Sequence, residues 1–287
     1  MDFKLAGCVI LYNPDANIVE NVASYIEYLD ALYVIDNQNG KDVVDILFQK
    51  YQEKIIAIKH DENMGISYSL NEVLNFVKGK FDLLLTMDQD SCFLESSMAR
   101  YKQEIKNFDW NRTLAVGASI KTYDFKEPVY DNSLWKNAVN IITSGNIVSV
   151  KNALAIGGYD EDLFIDEVDS DFCFRGIKAG YEIYTNVSGI YLLHSLGNPS
   201  YHKYFGHVTK VQNHNKIRKY YIFRNRLVVL FRHGRIMGVK RCWNQYIKAN
   251  FDLIRDVIFF EDDKIAKMKY IGLAVNDFFK NHLGKRV

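Results

Sequence analysis

The stretch LLLTMDQDS, residues 83–91, places an apolar run directly before two aspartates, Asp88 and Asp90. A short apolar run bounded by polar residues is typical of a strand buried inside a sheet. Two ionised carboxylates about 5 Å apart repel each other by about 3 kcal/mol at an effective dielectric constant near 20. We therefore expect a compensating partner at this strand end, either a divalent cation or the water around an exposed turn.

Apolar bursts alternate with helix-like segments along the first hundred residues, up to and including this stretch. The strand-like segments are LAGCVILY, ALYVID, KIIAIK and FDLLLTMD, and the helix-like ones are ANIVENVASYIEYL, DVVDILFQKY and SYSLNEVLNFVKG. This alternation indicates βαβ units around a parallel sheet. We predict a doubly wound α/β domain, followed from about residue 212 by a helical region.

Polar or turn residues follow each of these predicted strands. They are YNPD (12–15), DNQNG (36–40), HDENMG (60–65) and DQDS (88–91). Ligands of such sheets bind beyond the carboxyl ends of the strands, so we expect the four segments to meet at one rim. Neither a G-x-G-x-x-G after the first strand nor a P-loop motif occurs, which disfavours a Rossmann dehydrogenase and a P-loop enzyme. Paired carboxylates suit Mg²⁺ or Mn²⁺ sharing its ligand shell with phosphates.

A second group of carboxylates lies in LFIDEVDSDFCFR, residues 163–175. The segment predicts a helix over residues 167–179. Strands are expected before and after this helix, at AVNIITSG (138–145), YEIYTN (181–186) and GIYLLHS (189–195). Acidic residues in a first helical turn stabilise the helix dipole, which accounts for one or two of the four. Because apolar rings beside a carboxylate raise its pKa, we expect one of the others to act as a general base toward a hydroxyl.

These motifs, in this order, resemble those of the inverting glycosyltransferases of family 2. The resemblance covers about residues 4–226 and rests on VILYNP, VIDNQNG, ENMGISYSLN, LLLTMDQDS, ITSGN, GGYDEDLFIDEVDSDFCFR, LLHSLG and YYIFRNR. TMDQDS, ITSG, LFIDEVD and YYIFRN are most similar to the bacterial rhamnosyltransferase branch, whose members use dTDP-rhamnose to build surface polysaccharides. The resemblance implies a GT-A fold, a doubly wound mixed sheet with a C-terminal helical extension.

The resemblance also implies a domain organisation. The catalytic domain would occupy residues 1–211, with its donor-binding half at about 1–110 and its acceptor half at about 111–211. Residues 212–287 would form a basic, aromatic-rich helical region.

By position, the resemblance assigns the nucleotide-sugar donor and its metal to residues of the strand ends. The donor-binding set is Tyr12, Asn13, Asp36, Asn63, Gly65, Asp88 and Arg224. Asp90 would be the metal ligand proper for Mn²⁺ or Mg²⁺, with Asp88 and His194 as further ligands. A histidine after an apolar strand is also typical of a structural residue, and Arg224 also fits a solvated basic face.

On the acceptor side, the resemblance places the catalytic base at Asp169, the second member of an acidic pair that opens the late helix. Position 168 is Val where many relatives carry Glu, so Asp166 or Glu167 would share the role. Ser144 of the ITSG motif is a further acceptor-side candidate.

The charge of the chain is divided unevenly. Residues 201–250 hold twelve Lys or Arg and no Asp or Glu, whereas the rest of the chain holds 24 basic against 35 acidic residues. Interleaved aromatics there fit a helix at an anionic membrane surface, and equally a helix packed on the protein with solvated cations. The first reading would suit a lipid-linked saccharide acceptor, and the aromatic-rich helices are also candidates for a homodimer contact.

The cysteines and the lengths of the apolar segments indicate the cellular compartment in which we expect the protein. Cys8, Cys92, Cys173 and Cys242 form no C-x-x-C pair, which favours a reducing cytosol. The N-terminus does not resemble a cleavable signal peptide, and no apolar run approaches the ~18 residues that span a bilayer. We expect a cytoplasmic protein, soluble or peripheral at the inner face of the cell membrane.

Other functions stay open at this point. A UDP-hexose or UDP-N-acetylhexosamine transferase of the same fold would carry the same motifs. A protein of a different class, a non-catalytic saccharide- or nucleic-acid-binding protein, would use the basic C-terminal region. No zinc finger, RNP or basic-zipper pattern occurs, so we expect no nucleic-acid partner.

Overall fold

The computed structural model describes residues 3–122, 125, 133–194, 199–204 and 206–286. The chain divides into two compact units. Unit 1 comprises residues 1–160 and 172–195, and unit 2 comprises residues 161–171 and 196–287. The domain boundary expected between residues 211 and 212 stays a prediction. Residues 195–197 of the LLHSLG motif lie outside the described residues.

A mixed eight-stranded sheet lies in unit 1. Its strands are β1 (Leu5–Tyr12), β2 (Ala31–Gln38), β3 (Ile55–Lys59), β4 (Leu83–Asp88), β6 (Thr113–Gly117), β8 (Leu134–Asn137), β9 (Asn146–Ser149) and β10 (Glu182–Ser188). Their spatial order is β3-β2-β1-β4-β9-β6-β10-β8. The first four strands pair in parallel, whereas β9 is antiparallel to both its neighbours. The predicted α/β pattern of the first hundred residues is therefore confirmed.

A smaller three-stranded sheet of unit 1 has the order β5-β11-β7. It consists of β5 (Ser91–Phe93), β7 (Ser119–Lys121) and β11 (Tyr191–His194). Because β5 follows β4 after a two-residue turn, this sheet continues directly from the DQDS segment. The antiparallel pairing of β5 with β11 sets His194 opposite Ser91.

The helices of unit 1 connect these strands. They are α1 (Ile18–Ala23), α2 (Lys41–Tyr51), α3 (Ile66–Val77), α4 (Ser97–Glu104) and α5 (Val150–Ala155). The core between helices and sheet contains the apolar residues of β1, β2 and β4 together with Tyr25 and Tyr101, which are fully buried. Gly7 in β1 has no room for a side chain, since a Cβ there would lie 2.4 Å from Leu29 Cδ1.

One predicted strand of unit 1 is wrong. Residues 138–145 form no strand, and β8 and β9 lie on either side of them. The segment instead turns beside β4, because Gly145 adopts a φ of +76° and donates its N–H to the Thr86 carbonyl at 2.8 Å. The Thr86 hydroxyl in turn donates to the Thr143 carbonyl at 2.6 Å.

Unit 2 is mostly helical, as the pattern after residue 212 predicts. Its elements are a hairpin of β12 (Ser200–Tyr204) and β13 (His207–Val211), α7 (Lys216–Met237), α8 (Val239–Arg241), a π-helix (Cys242–Ile247), α9 (Lys248–Phe259) and α10 (Lys264–Phe279). Buried residues of α7, α9 and α10 form its core with Phe164. Helix α6 (Val168–Lys178), close to its predicted bounds, starts in unit 2 and ends in unit 1. Among the described helices, none has the length and apolar character that crossing a membrane requires.

Candidate functional site

Two carboxylates and an imidazole meet where β4 ends in unit 1. Asp88 is the last residue of β4, Asp90 follows in the turn, and His194 ends β11. One ligand atom from each of the three lies within 4.8 Å of the others. His194 Nδ1 is 3.4 Å from Asp90 Oδ1 and 4.0 Å from Asp88 Oδ2, and it is 2.8 Å from the Ser91 hydroxyl. The structure thus brings together all three residues predicted to bind metal.

The chemistry of this group suits a divalent cation. Carboxylate oxygens are the ligands that Mg²⁺ and Mn²⁺ prefer, and imidazole adds a nitrogen donor that transition metals accept. Asp88 and Asp90 keep 36% and 46% of their side chains exposed, so a cation bound here would remain open to a ligand from solvent. A bound cation would also offset the repulsion between the two carboxylates.

Gln89, which lies between the two aspartates, connects the end of β4 to the end of β1 by hydrogen bonds. Its side-chain Oε1 accepts the Tyr12 N–H at 2.8 Å, and its Nε2 donates to the Tyr12 carbonyl at 3.1 Å. The Asn21 amide donates to the Gln89 carbonyl at 2.8 Å. Sequence reasoning missed this residue. Its position directly after an apolar run, in one of the strand-end segments, is the signal that could have indicated its role.

Ser144 lies beside the same strand end. Its buried hydroxyl accepts the Asp88 N–H at 3.1 Å. Ser144 therefore supports the backbone of a predicted metal ligand. Its predicted contact with the acceptor stays a prediction.

The ends of β2 and β3 are joined by a network of amide side chains. Asn37 Nδ2 donates to Asn63 Oδ1 at 2.8 Å, and Asn37 Oδ1 accepts the Met64 N–H at 2.9 Å. His60 Nδ1 lies 2.9 Å from the same Asn37 oxygen, and Asn63 Oδ1 also accepts the Gly65 N–H. Asn37 and His60 were not among the predicted site residues, although both stand in the strand-end segments DNQNG and HDENMG.

The remaining predicted donor-binding residues of unit 1 occupy the same strand ends. Asp36 is buried, and its Oδ1 accepts the Gly40 N–H at 2.7 Å. Asn13 has a φ of +45° and its Oδ1 accepts from Asn39 at 2.6 Å. Gly65, with a φ of +85°, caps α3, and the Tyr12 side chain is 46% exposed. The four segments therefore follow β1, β2, β3 and β4 as the sequence predicts.

The second group of carboxylates belongs to unit 2. We call residues 162–167 the acidic loop, which leads directly into α6. Asp166 pairs with Arg218 at 3.3 Å, and Glu167 lies 3.6 Å from Arg226. Burial raises the pKa of both carboxyl groups, and the two guanidinium groups only partly oppose it.

Asp169 stands in the first turn of α6, and its Oδ1 accepts the Ser170 N–H at 2.7 Å. Asp171 is fully buried and lies 2.8 Å from His233 Nε2, with Arg232 Nη1 3.8 Å away. The two aspartates of this turn thus differ in environment, because Asp169 is half-buried and Asp171 is enclosed in an ion pair.

Arg224, predicted to contact the donor, is fully buried in unit 2. Its guanidinium donates to the carbonyls of Gly284 at 2.9 Å and Asp162 at 3.0 Å. It also lies over the rings of Tyr220 and Tyr221. Through these contacts the guanidinium of Arg224 holds the backbone at Gly284 and Asp162 in place. A contact of Arg224 with the donor stays a prediction.

Comparison with known proteins gives two sequence relatives. A dTDP-rhamnosyl transferase, RfbF, of Shigella flexneri is 25% identical over 252 residues, which cover 80% of this chain and 81% of the relative. An uncharacterized glycosyltransferase, MJ1057, of Methanocaldococcus jannaschii is 27% identical over 203 residues, 63% of this chain and 68% of the relative.

Solved structures with a similar fold have low sequence identity to this chain. A Pyrobaculum calidifontis mannosyltransferase in complex with GDP-Man and Mn²⁺ has a TM-score of 0.57 at 12% identity, over 98% of this chain and 76% of that one. S. aureus TarS 1–349 in complex with UDP-GlcNAc has a TM-score of 0.59 at 12% identity, over 96% and 81%. These similarities confirm the predicted GT-A fold.

The family comparison covers the strand ends described above. The family model "Glycosyl transferase family 2" matches residues 8–156, which is just over half of the chain; the match begins within β1 and includes β2 to β4 with the DQDS segment. The match agrees with the order of motifs along the sequence. The chain therefore belongs to glycosyltransferase family 2.

Proposed function

We propose that this glycosyltransferase moves rhamnose from dTDP-rhamnose onto a saccharide acceptor in bacterial surface polysaccharide biosynthesis, with a divalent metal and inversion of the anomeric carbon. The observation that carries the proposal is the group of Asp88, Asp90 and His194 at the end of β4 in a family 2 domain. The choice of rhamnose is supported by the relative named as a dTDP-rhamnosyl transferase, which aligns with 80% of the chain.

At the end of β4, Asp88, Asp90 and His194 would hold Mn²⁺ or Mg²⁺. When bound, such a cation stabilises the negative charge that develops on the leaving diphosphate. Gln89 and Ser144 keep the two carboxylates in place through the backbone of the same turn. The amide network at the ends of β2 and β3 would receive the nucleoside, together with Tyr12 and Asn13.

The transfer is a single displacement in this proposal. The Asp169 carboxylate accepts the proton of the acceptor hydroxyl while that oxygen forms a bond to the anomeric carbon. The bond from this carbon to the diphosphate oxygen breaks, and its electron pair leaves with the dTDP. Because the attack comes from the face opposite the leaving group, the anomeric configuration inverts. Asp166 and Glu167 lie in the acidic loop just before this base.

For the acceptor, we propose a lipid-linked saccharide at the inner face of the cell membrane. Several of the twelve cations of residues 201–250 are paired with carboxylates of unit 2, so these do not act as unpaired positive charges toward a membrane. They are Arg218, Lys219, Arg226, Arg232 and Lys248. Further cations lie at residues 235–243, which we call the basic corner, where Arg235 and Lys240 are exposed and Arg241 is half-buried. There, Val239 and Trp243 are 87% and 54% exposed beside Lys240 and Arg241.

A product assay tests the proposal. The protein would be incubated with dTDP-rhamnose, Mn²⁺ and lipid-linked saccharides, and dTDP release and rhamnosylated product would be measured by mass spectrometry. We expect turnover in the wild type and a loss of at least ~10²-fold in Asp169→Asn, the size typical of a lost general base. Asp45→Asn, an exposed carboxylate of α2, is the control. Turnover with UDP-hexoses or UDP-N-acetylhexosamines and none with dTDP-rhamnose would reject rhamnose and retain the fold and metal site.

A further inference from the structure

The acidic loop of unit 2 has an unusual backbone. Phe164, Asp166 and Glu167 have φ values of +63°, +62° and +62°. In this left-handed region a Cβ crowds the following carbonyl, so residues other than glycine rarely adopt it. Three such residues within four positions persist only where surrounding groups hold them. The loop ends one residue before α6 and two residues before Asp169.

Asn225 of α7 supplies much of this support. Its side-chain Nδ2 donates to the carbonyls of Leu163 at 2.7 Å, Ile165 at 2.7 Å and Asp166 at 3.0 Å. Its Oδ1 accepts the Arg224 Nε at 2.9 Å, so both ends of the amide are used. Asn225 is fully buried. A single buried amide therefore contacts three of the six carbonyls of the loop.

Arg224, the neighbour of Asn225, contacts the backbone carbonyls at the start of the loop. Its Nη2 donates to the Asp162 carbonyl at 3.0 Å and lies 3.4 Å from the Leu163 carbonyl. The guanidinium of Arg224 and the amide of Asn225 thus form one layer beneath the loop backbone. Because α7 packs through Tyr220 and Tyr221 into the core of unit 2, these two side chains belong to a helix that is held by that core.

We propose that Asn225 is a positioning residue for the transfer reaction, which fixes the acidic loop and thereby the direction in which Asp169 faces the acceptor. The inference rests on the proposed function, because it assigns the base to Asp169. A general base must stay within hydrogen-bonding reach of the proton it removes, and small displacements of catalytic groups lower rates by ~10²-fold. Asn225 acts on the rate through the loop backbone and touches neither substrate.

The test is the isosteric substitution Asn225→Asp. It retains the volume and the oxygen that accepts from Arg224, and it removes both N–H donors to the loop. The matched control is Asn152→Asp in unit 1. Asn152 is also buried, and its Nδ2 donates to the carbonyls of Trp110 and Thr113, each at 2.8 Å. Both variants lose a buried amide that donates to backbone carbonyls, but only the amide of Asn225 contacts the acidic loop.

The measurements are kcat and the KM for donor and acceptor, at a temperature where both variants are folded by circular dichroism. We expect kcat of Asn225→Asp to fall at least tenfold, with the donor KM and the affinity for dTDP and Mn²⁺ within twofold of the wild type. Amide hydrogen exchange of residues 162–168 should rise in Asn225→Asp and not in Asn152→Asp. The control should keep its kcat within twofold.

Two results would overturn the inference: a kcat of Asn225→Asp within twofold of the wild type, or an equal loss in both variants. If Asn225→Asp does not fold, Asn225→Ser, which retains one donor, is compared with Asn152→Ser under the same criteria. A wild type inactive with every donor would instead reject the proposed function, and the exchange of residues 162–168 would still test the support of the loop.

Discussion

At the scale of the residue, chemistry in this chain depends on how each carboxylate is surrounded. Asp88 and Asp90 are partly exposed and lie beside an imidazole. Asp166 and Glu167 are mostly buried beside arginines. The sequence predicts both groups, because D-x-D after an apolar run and four carboxylates at a helix start are visible patterns. His194 follows Asp90 by more than one hundred residues, so only the family resemblance could link the two before the fold was known.

The raised pKa of Glu167 predicts a pH-dependent cost to stability. Burial raises the pKa above the ordinary value of 4.5, while Arg226, Ser170 and Tyr246 favour the charged form and Asp166 opposes it. The folded state therefore binds this proton more tightly than the unfolded state, and the unfolding free energy falls as pH rises through the raised pKa. Buried charges retained at such a cost are typical of functional sites.

Glu167→Gln removes this titration. We expect its unfolding free energy, relative to the wild type, to increase between pH 4.5 and pH 7, as measured by urea denaturation at several pH values. Glu53→Gln, at an exposed carboxylate of unit 1, is the control and should show a smaller change. A difference between Glu167→Gln and the wild type that is constant over this pH range would contradict the burial of the charge.

At the scale of the element, the ends of the strands determine the site. Apolar runs and alternation predict β1 to β4 and their polar ends. They do not predict which side chain joins one end to the next, because such contacts depend on tertiary register. The Gln89 contact with the Tyr12 backbone and the Asn225 contact with the acidic loop are of this kind. The segment at 138–145 contains apolar residues but forms no strand, because the chain turns at Gly145 beside β4.

Gln89→Ala tests the connection between β1 and β4. The change removes two hydrogen bonds between groups that water can reach, so we expect a loss of about 1 kcal/mol in unfolding free energy. The donor KM should rise, because both strand ends contribute to the predicted donor site. Urea denaturation and steady-state kinetics measure the two effects, with Gln49→Ala on the exposed face of α2 as the control. Equal stability of Gln89→Ala and the control would disprove the connection.

At the scale of the whole molecule, the two compact units divide the predicted chemistry. The predicted metal ligands and the predicted donor residues other than Arg224 belong to unit 1. Arg224, the acidic loop, Asp169 and the basic corner belong to unit 2. The sequence predicts both regions but not their limits, because residues 161–171 belong to unit 2 although residues on either side belong to unit 1. Which unit a segment joins depends on tertiary packing, and a local sequence pattern does not predict that packing.

The basic corner predicts binding to anionic membranes. We expect the protein to co-sediment with phosphatidylglycerol vesicles at low salt and less at high salt, because each cation near the surface contributes ~1 kcal/mol. The double variant Lys240→Glu/Arg241→Glu should lose most of this binding. Lys203→Glu/Lys210→Glu, the same charge change on the β12–β13 hairpin, should retain it. Equal loss in both double variants would show that net charge, and not the corner, determines binding.

The most direct test of the central claim is a thermal-shift measurement with dTDP, UDP and GDP, each with and without Mn²⁺, on the wild type and Asp90→Asn. A ligand at 100 times its Kd stabilises the native state by about 2.7 kcal/mol, which is about 5–10 °C in Tm for a chain of this size. The account predicts that dTDP raises the Tm of the wild type only with Mn²⁺, and that Asp90→Asn loses this response while its Tm without ligand stays within a few degrees. A dTDP response without metal, an equal response in Asp90→Asn, or no response to any nucleotide would contradict it.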